Sequence, residues 1–332
     1  MIQHPAILAL MTASLIVSGL LLYAGWFGIR ILKNWDLASG SELQLNLERR
    51  TYLIATIMSY ALLFQIISLF LYLYTADGLH ILFTGAMCAA GTLQVNSYGY
   101  PTLILKLINC LLAGVWLIVN HADTRGYDYP LIKPKYVLLL GLVLLVLAET
   151  VLQFNYFLHL KGDMITSCCG SLFGSDKPSI AGELAGLPYR IMRPLFFSTM
   201  VVLACCGIRL YLKGTGGYLY AVLSAFAFVV SLAALISFIG LYYYELPTHH
   251  CPFCILQKEY GYIGYLLYAT LLGGMISGSS IGLLMPFRRR PSLAPYLPRL
   301  QQRLVLLSLT CYLLFTALVS YRMLTANFRL GG

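Results

Sequence analysis

Eight apolar runs take up most of this 332-residue chain, and they leave it essentially one class of fold. A run of roughly 18 or more apolar residues reads as a membrane-spanning helix. Inside hydrocarbon each backbone N–H and C=O must find a partner within its own segment, and a helix provides that. The runs lie at about 5–29, 51–74, 102–120, 136–158, 194–212, 218–244, 260–285 and 304–324. The expected fold is therefore all-α, a polytopic helical bundle forming a single membrane domain over 1–332. Composition agrees: 59% of residues are hydrophobic and 10% charged, where a soluble domain carries about a quarter charged. The start, Met1-Ile-Gln-His-Pro5, lacks a basic n-region, so the first run reads as an uncleaved span.

The net charge of +10 does not point to nucleic acid, because no basic stripe with interleaved aromatics and no Gly-rich phosphate loop is present. The lipid bilayer is the implied partner, and the basic residues serve orientation. Fourteen of them, including Arg30, Lys33, Arg49, Arg50, Arg125 and Arg288–Arg290, fall on one set of connectors. Seven fall on the other. By the positive-inside rule, both termini and the connectors 77–101, 161–193 and 245–259 lie on the extracytoplasmic side of a cell inner (plasma) membrane. That assignment gathers Cys88, Cys168, Cys169, Cys251 and Cys254 outside, where thiols oxidise or bridge. Cys110, Cys205, Cys206 and Cys311 fall within spans and read as small packing residues.

The most distinctive polar stretch is Pro247-Thr-His249-His250-Cys251-Pro252-Phe253-Cys254, set between two apolar runs. If the second run is helical from its start, Cys251 sits near the N-cap and Pro252 near N1. Free N–H groups, the helix dipole and Lys258 would then favour a thiolate. This layout resembles the membrane quinone-linked disulfide oxidoreductases of the DsbB and vitamin K epoxide reductase group. The resemblance covers Cys251-Pro252-Phe253-Cys254 and the further outer cysteines. It implies a helix-capping Cys251/Cys254 pair passing electrons to a quinone, with Cys168/Cys169 or Cys88 exchanging with an extracytoplasmic thiol protein.

Two other readings stand beside it. Thiolates with imidazole select Zn or Cu(I), and His249, His250, Cys251 and Cys254 with Cys168 and Cys169 offer enough ligands for a tetrahedral site. Met87 beside Cys88 suits Cu(I). A haem variant would use two of His80, His159, His249 and His250 as axial ligands. Either would make the chain a metal- or haem-binding membrane subunit of an electron-transfer or metal-handling assembly. The plainest reading is structural disulfides between outer loops, although five outer cysteines leave one over.

Within the spans, Glu149 is the most costly residue for lipid to accommodate, and with Gln153 it lies on one helical face. Lys106 is a candidate partner, and a proton-carrying or cofactor role for Glu149 is weighed against simple packing. Tyrosines 242–244, 260, 262 and 265 fit an interfacial belt, and Tyr260 could also wall a quinone. A transporter would show two matching halves, which spans 1–4 and 5–8 do not. On the outer assignment, impermeant thiol reagents on intact, reduced cells are expected to reach Cys88 and Cys251.

Overall fold

In a computed structural model, residues 4–37, 39–162, 165–166 and 180–330 are described; Cys168 and Cys169 lie outside them. Among those residues, eight helices are long and apolar enough to cross a membrane, the number expected. The secondary elements are α1 (Pro5–Asn34), α2 (Glu42–Gly78), α3 (Ala89–Gln94), α4 (Gly99–Asp123) and α5 (Ile132–Leu158). After them come α6 (Ile180–Ala185), α7 (Tyr189–Lys213), α8 (Gly217–Ala234), α9 (Gly240–Tyr244), α10 (Ile263–Leu284) and α11 (Leu297–Thr325). A π turn at Leu235–Ile239 joins α8 to α9, so the two form one span.

Helix boundaries follow local chemistry. Pro5 starts α1, where its missing N–H is harmless. Gly214, at φ +64°, closes α7 in the left-handed conformation that glycine adopts without strain. The helices outrun the apolar segments. Helix α2 has 37 residues, which at 1.5 Å each is about 55 Å against a hydrocarbon core of about 30 Å. Its polar start, with Glu42, Glu48, Arg49 and Arg50, continues the helix because such residues propagate one well. The Gln44 Nε2–Glu48 Oε1 bond of 2.8 Å supports that turn.

One expectation is corrected here. The apolar run after Cys254 is not helical from its start, so Cys251 is not an N-cap and Pro252 not N1 of that span. Residues Cys254–Leu256 and Lys258–Tyr260 form single 3₁₀ turns, and α10 begins only at Ile263. Gln257 is extended at ψ 160°, and Gly261 and Tyr262 take left-handed φ values of 63° and 56°. Those three residues break any helix begun at Cys251.

The chain forms two compact units. Unit 1 comprises Met1–Tyr72, Ser97–Leu160 and Leu283–Gln301. Its apolar core includes Phe27, Met58, Trp116, Tyr136 and Leu142 from α1, α2, α4 and α5. Set in it is a polar knot centred on Glu149. Lys106 Nζ donates to Glu149 Oε1 at 2.7 Å, while Gln65 Nε2 and Asn109 Nδ2 donate to Oε2 at 2.5 and 2.6 Å. Lys106 Nζ also reaches Ser68 Oγ at 3.2 Å. The ion pair is sealed, with side chains 0% and 1% exposed. Gln153 turns to α1, where its amide donates to Ser14 Oγ and Leu10 O. A second buried pair, Lys135 with Asp123 at 2.5 Å, ties α5 to the end of α4.

Unit 2 comprises Leu73–Asn96, Lys161–Gly282 and Gln302–Gly332. Its helices approach closely: a Cβ on Gly278 would overlap Ser224, and Tyr312 donates its hydroxyl proton to Ser224 O at 2.7 Å. Arg322 closes the C-terminal end of α9. Its guanidinium donates to the Tyr242 and Tyr243 carbonyls and to Glu245 Oε1 at 3.0 Å. This satisfies orphan carbonyls and holds Glu245 left-handed at φ 54°, which turns the chain into the His249–Cys254 loop.

Removing one member of the Lys106–Glu149 pair strands a buried charge, so Lys106→Met is expected to cost about 3–5 kcal/mol. The double variant Lys106→Met with Glu149→Gln should recover much of that loss. Unfolding of both proteins in detergent measures the difference.

Candidate thiolate site

Two segments of unit 2 far apart in sequence bring sulfur together. The first follows α2. Gly85 turns at φ +90°, and a side chain there would strike Thr166 O, so the position requires glycine. The turn delivers Met87 to the surface and Cys88 to the interior, with Cys88 at the N-cap of α3. The second is the loop between α9 and α10, which carries His249, Cys251 and Cys254.

Cys88, Cys251 and Cys254 meet with their sulfurs all within 4.8 Å of one another. Cys88 Sγ lies 3.6 Å from Cys251 Sγ, and His249 Nε2 lies 3.3 Å from Cys254 Sγ. The three cysteines are 0%, 1% and 5% exposed. At 3.6 Å the Cys88–Cys251 approach is a non-bonded one, since a disulfide needs about 2.05 Å.

Hydrogen bonds hold the loop in this shape. The Tyr244 hydroxyl donates to Cys251 O at 2.5 Å and accepts the Ile255 N–H at 3.1 Å. The Tyr268 hydroxyl donates to Pro252 O at 2.6 Å. The His249 ring stands edge-on to Tyr244, 4.6 Å between centroids. His250 turns away to the π turn, where its Nδ1–H donates to Ile236 O at 2.8 Å. A π turn draws a carbonyl out of the regular helical ladder, and this one is used by the residue preceding Cys251.

A second set of bonds joins the two segments. Gln257 Nε2 donates to Met87 O at 2.8 Å and to Asp77 Oδ1 at 3.2 Å. Asp77 Oδ1 also accepts the Ala89 N–H at 3.1 Å. Gln257 and Asp77 therefore clamp the residues flanking Cys88 against the residues following Cys254. Sequence alone did not single them out; a carboxylate at the end of an apolar helix, at Asp77, was the available signal.

The remaining candidates are placed as follows. Tyr260 packs its ring 5.0 Å from Tyr244, and burial, then Cys254 nearby, raise its phenol pKa above the ordinary value. Tyr244 itself is buried and bonded to the loop, so it is not part of an interfacial belt. Lys258 is exposed and begins a separate 3₁₀ turn, so it does not share a helix face with Cys254. Lys106, Glu149 and His159 belong to unit 1. His159 bonds its own turn through Asn155 O at 2.8 Å and lies against the Tyr98 ring. His80 bonds the Asp77 carbonyl through Nδ1. The burial of Cys88 and Cys251 also removes them as targets for impermeant reagents in the folded protein.

Gln257→Ala is expected to slacken the Cys88–Cys251 approach. In a Cys254→Ser background, oxidant-driven bridging of Cys88 to Cys251 should slow about tenfold, in the range of losses seen when a residue that only orients a reacting group is removed. Mass mapping of the bridged peptides follows the rate. Comparison with protein-family models, curated proteins and solved structures finds no match to this chain, so its functional reading rests on the side chains just described.

Proposed function

We propose that this chain is a multi-pass membrane protein that holds one soft metal ion between Cys88, Cys251, Cys254 and His249. The observation that carries the proposal is the mutual approach of three buried sulfurs drawn from two distant segments. A tetrahedral ion with metal–sulfur bonds of about 2.3 Å sets its sulfurs about 3.8 Å apart, and a sulfur and an imidazole nitrogen about 3.6 Å apart. The 3.6 Å Cys88–Cys251 and 3.3 Å Cys254–His249 edges come near those values. His249 is not within 4.8 Å of all three sulfurs, so its ring would turn toward Cys88 and Cys251 to complete the set. Burial fits the same role, since a ligand set needs no access for a protein partner and gains from exclusion of water. Zn(II) and Cu(I) are the ions that three thiolates and one imidazole select. Each thiol releases its proton as its sulfur takes the ion, so affinity rises with pH. On the basic-residue asymmetry, the site faces the extracytoplasmic side of the plasma membrane, and other membrane subunits or a metal donor are its natural partners.

The second reading is thiol–disulfide exchange, and the Cys88–Cys251 approach favours it. With Cys251 and Cys254 bridged, a Cys88 thiolate attacking Cys251 would form a Cys88–Cys251 bond and release Cys254 as thiolate. Net oxidation of an outer thiol partner would then need an electron acceptor such as a membrane quinone. The loss of the helix-capping position removes the dipole as the source of a reactive thiolate at Cys251 and weakens this reading relative to the first.

Metal analysis of purified protein, with intact-mass thiol counting alongside, separates the two. Near one equivalent of metal, with thiols masked until a chelator is added, and loss of the metal in Cys88→Ser, Cys251→Ser and Cys254→Ser, is the expected result. A Cys251–Cys254 bridge opened by mild reductant, in protein that takes up no added metal, would replace it with thiol exchange.

A further inference from the structure

A cavity of about 330 Å³ opens beside this site, within the same unit, and is lined by residues that include Asp77, His80, Met87, Gln257 and Glu259. Met87 is joined by one peptide bond to Cys88, whose side chain is buried on the inner side of that segment. Met87 is 62% exposed. His80 has its Nδ1–H committed to the Asp77 carbonyl. In the neutral ring, Nε2 then carries the lone pair, which is the tautomer that a metal-binding imidazole needs. Asp77 and Glu259 supply negative charge to the walls, and Lys258 one positive charge.

We infer that this cavity is the loading vestibule of the thiolate site, and that the ion it captures is a soft monovalent cation of the Cu(I) class. The inference rests on the metal reading of Cys88, Cys251, Cys254 and His249 and goes further by naming an entry point and the cargo. Thioether sulfur is a ligand for Cu(I) and a poor one for Zn(II), whereas imidazole serves both. An ion held transiently by Met87 and His80 needs to pass only one residue along the chain to meet the Cys88 sulfur. There the bond to thioether breaks, the bond to thiolate forms, and the displaced thiol proton goes to water through the open cavity. The charge on the cation is unchanged, so no electron donor is required. Asp77 has a double part in this arrangement. Its side chain holds the Cys88 segment in register, and its backbone carbonyl orients the His80 ring.

The test is stopped-flow loading of reduced, metal-stripped protein in detergent with Ag(I), a redox-inert stand-in for Cu(I), and separately with Zn(II). Thiolate–metal absorbance gives the rate, and elemental analysis gives the final stoichiometry. In Met87→Leu, Ag(I) loading is expected to slow about tenfold while final Ag(I) stoichiometry and Zn(II) loading stay at the parent's values. An unchanged Ag(I) rate would overturn the vestibule. Equal slowing of both ions would also overturn it, because that pattern marks a general distortion of the loop. If the parent protein takes up neither ion, the metal site itself falls, which the parent trace reveals before any variant is compared.

Discussion

Lipid offers no hydrogen bonds, and that constraint governs what each part of this protein can be. It turns the apolar runs into helices, because only a helix closes its own backbone ladder within a single segment. It also makes a charge placed inside a span costly unless it arrives with partners. Glu149 shows the rule: its carboxylate takes donors from Lys106, Gln65 and Asn109, on two other helices. The knot looks like functional machinery in the sequence, where a lone acid in a span stands out. In the folded unit its hydrogen bonds join α2, α4 and α5 around a buried charge, with Asn109 Oδ1 left without a partner among the described residues.

The thiolate site depends on the opposite situation, a stretch where the helical ladder is given up. Between α9 and α10 the chain leaves regular structure, and its backbone groups are satisfied by side chains. Two tyrosines anchor the loop from the helices around it: Tyr244 through Cys251 O and Ile255 N–H, and Tyr268 through Pro252 O. The π turn gives up a carbonyl to His250, and Gln257 reaches across to the Cys88 segment. Irregular backbone buried away from water persists only where the protein supplies such partners. The number of them here explains how three cysteines can be held close without a covalent bridge. It also explains the abundance of tyrosine around the motif, since a phenol combines an apolar body with one hydrogen-bonding tip.

Much of the fold was legible in sequence because hydropathy over a span is a summed signal. Substituting one residue in a 25-residue helix such as α4 hardly alters it. Helix ends were less legible: α2 runs back to Glu42 through charged residues that a hydropathy reading assigns to a connector. The candidate site was legible in part. Cys88, Cys251, Cys254 and His249 were recognisable by residue type, as was the Lys106–Glu149 pairing by its cost in lipid. Asp77 and Gln257 were not, because their part is to hold two loops together, and nothing in the local sequence of either loop records the other.

By itself the sequence determined the class of fold, the number of spans and the cysteines available, since these follow from composition and from the free energy of placing each residue in lipid. Only the tertiary structure decided which of those cysteines meet and what surrounds them. It moved the start of α10 to Ile263, put Cys88, the N-cap of α3, beside Cys251, and closed both sulfurs off from water. The physical reason is that a thiolate site is defined by distances of 3–4 Å between residues 163 positions apart. Such distances are fixed by long-range hydrogen bonds and close packing, whereas hydropathy is a property of each segment taken alone.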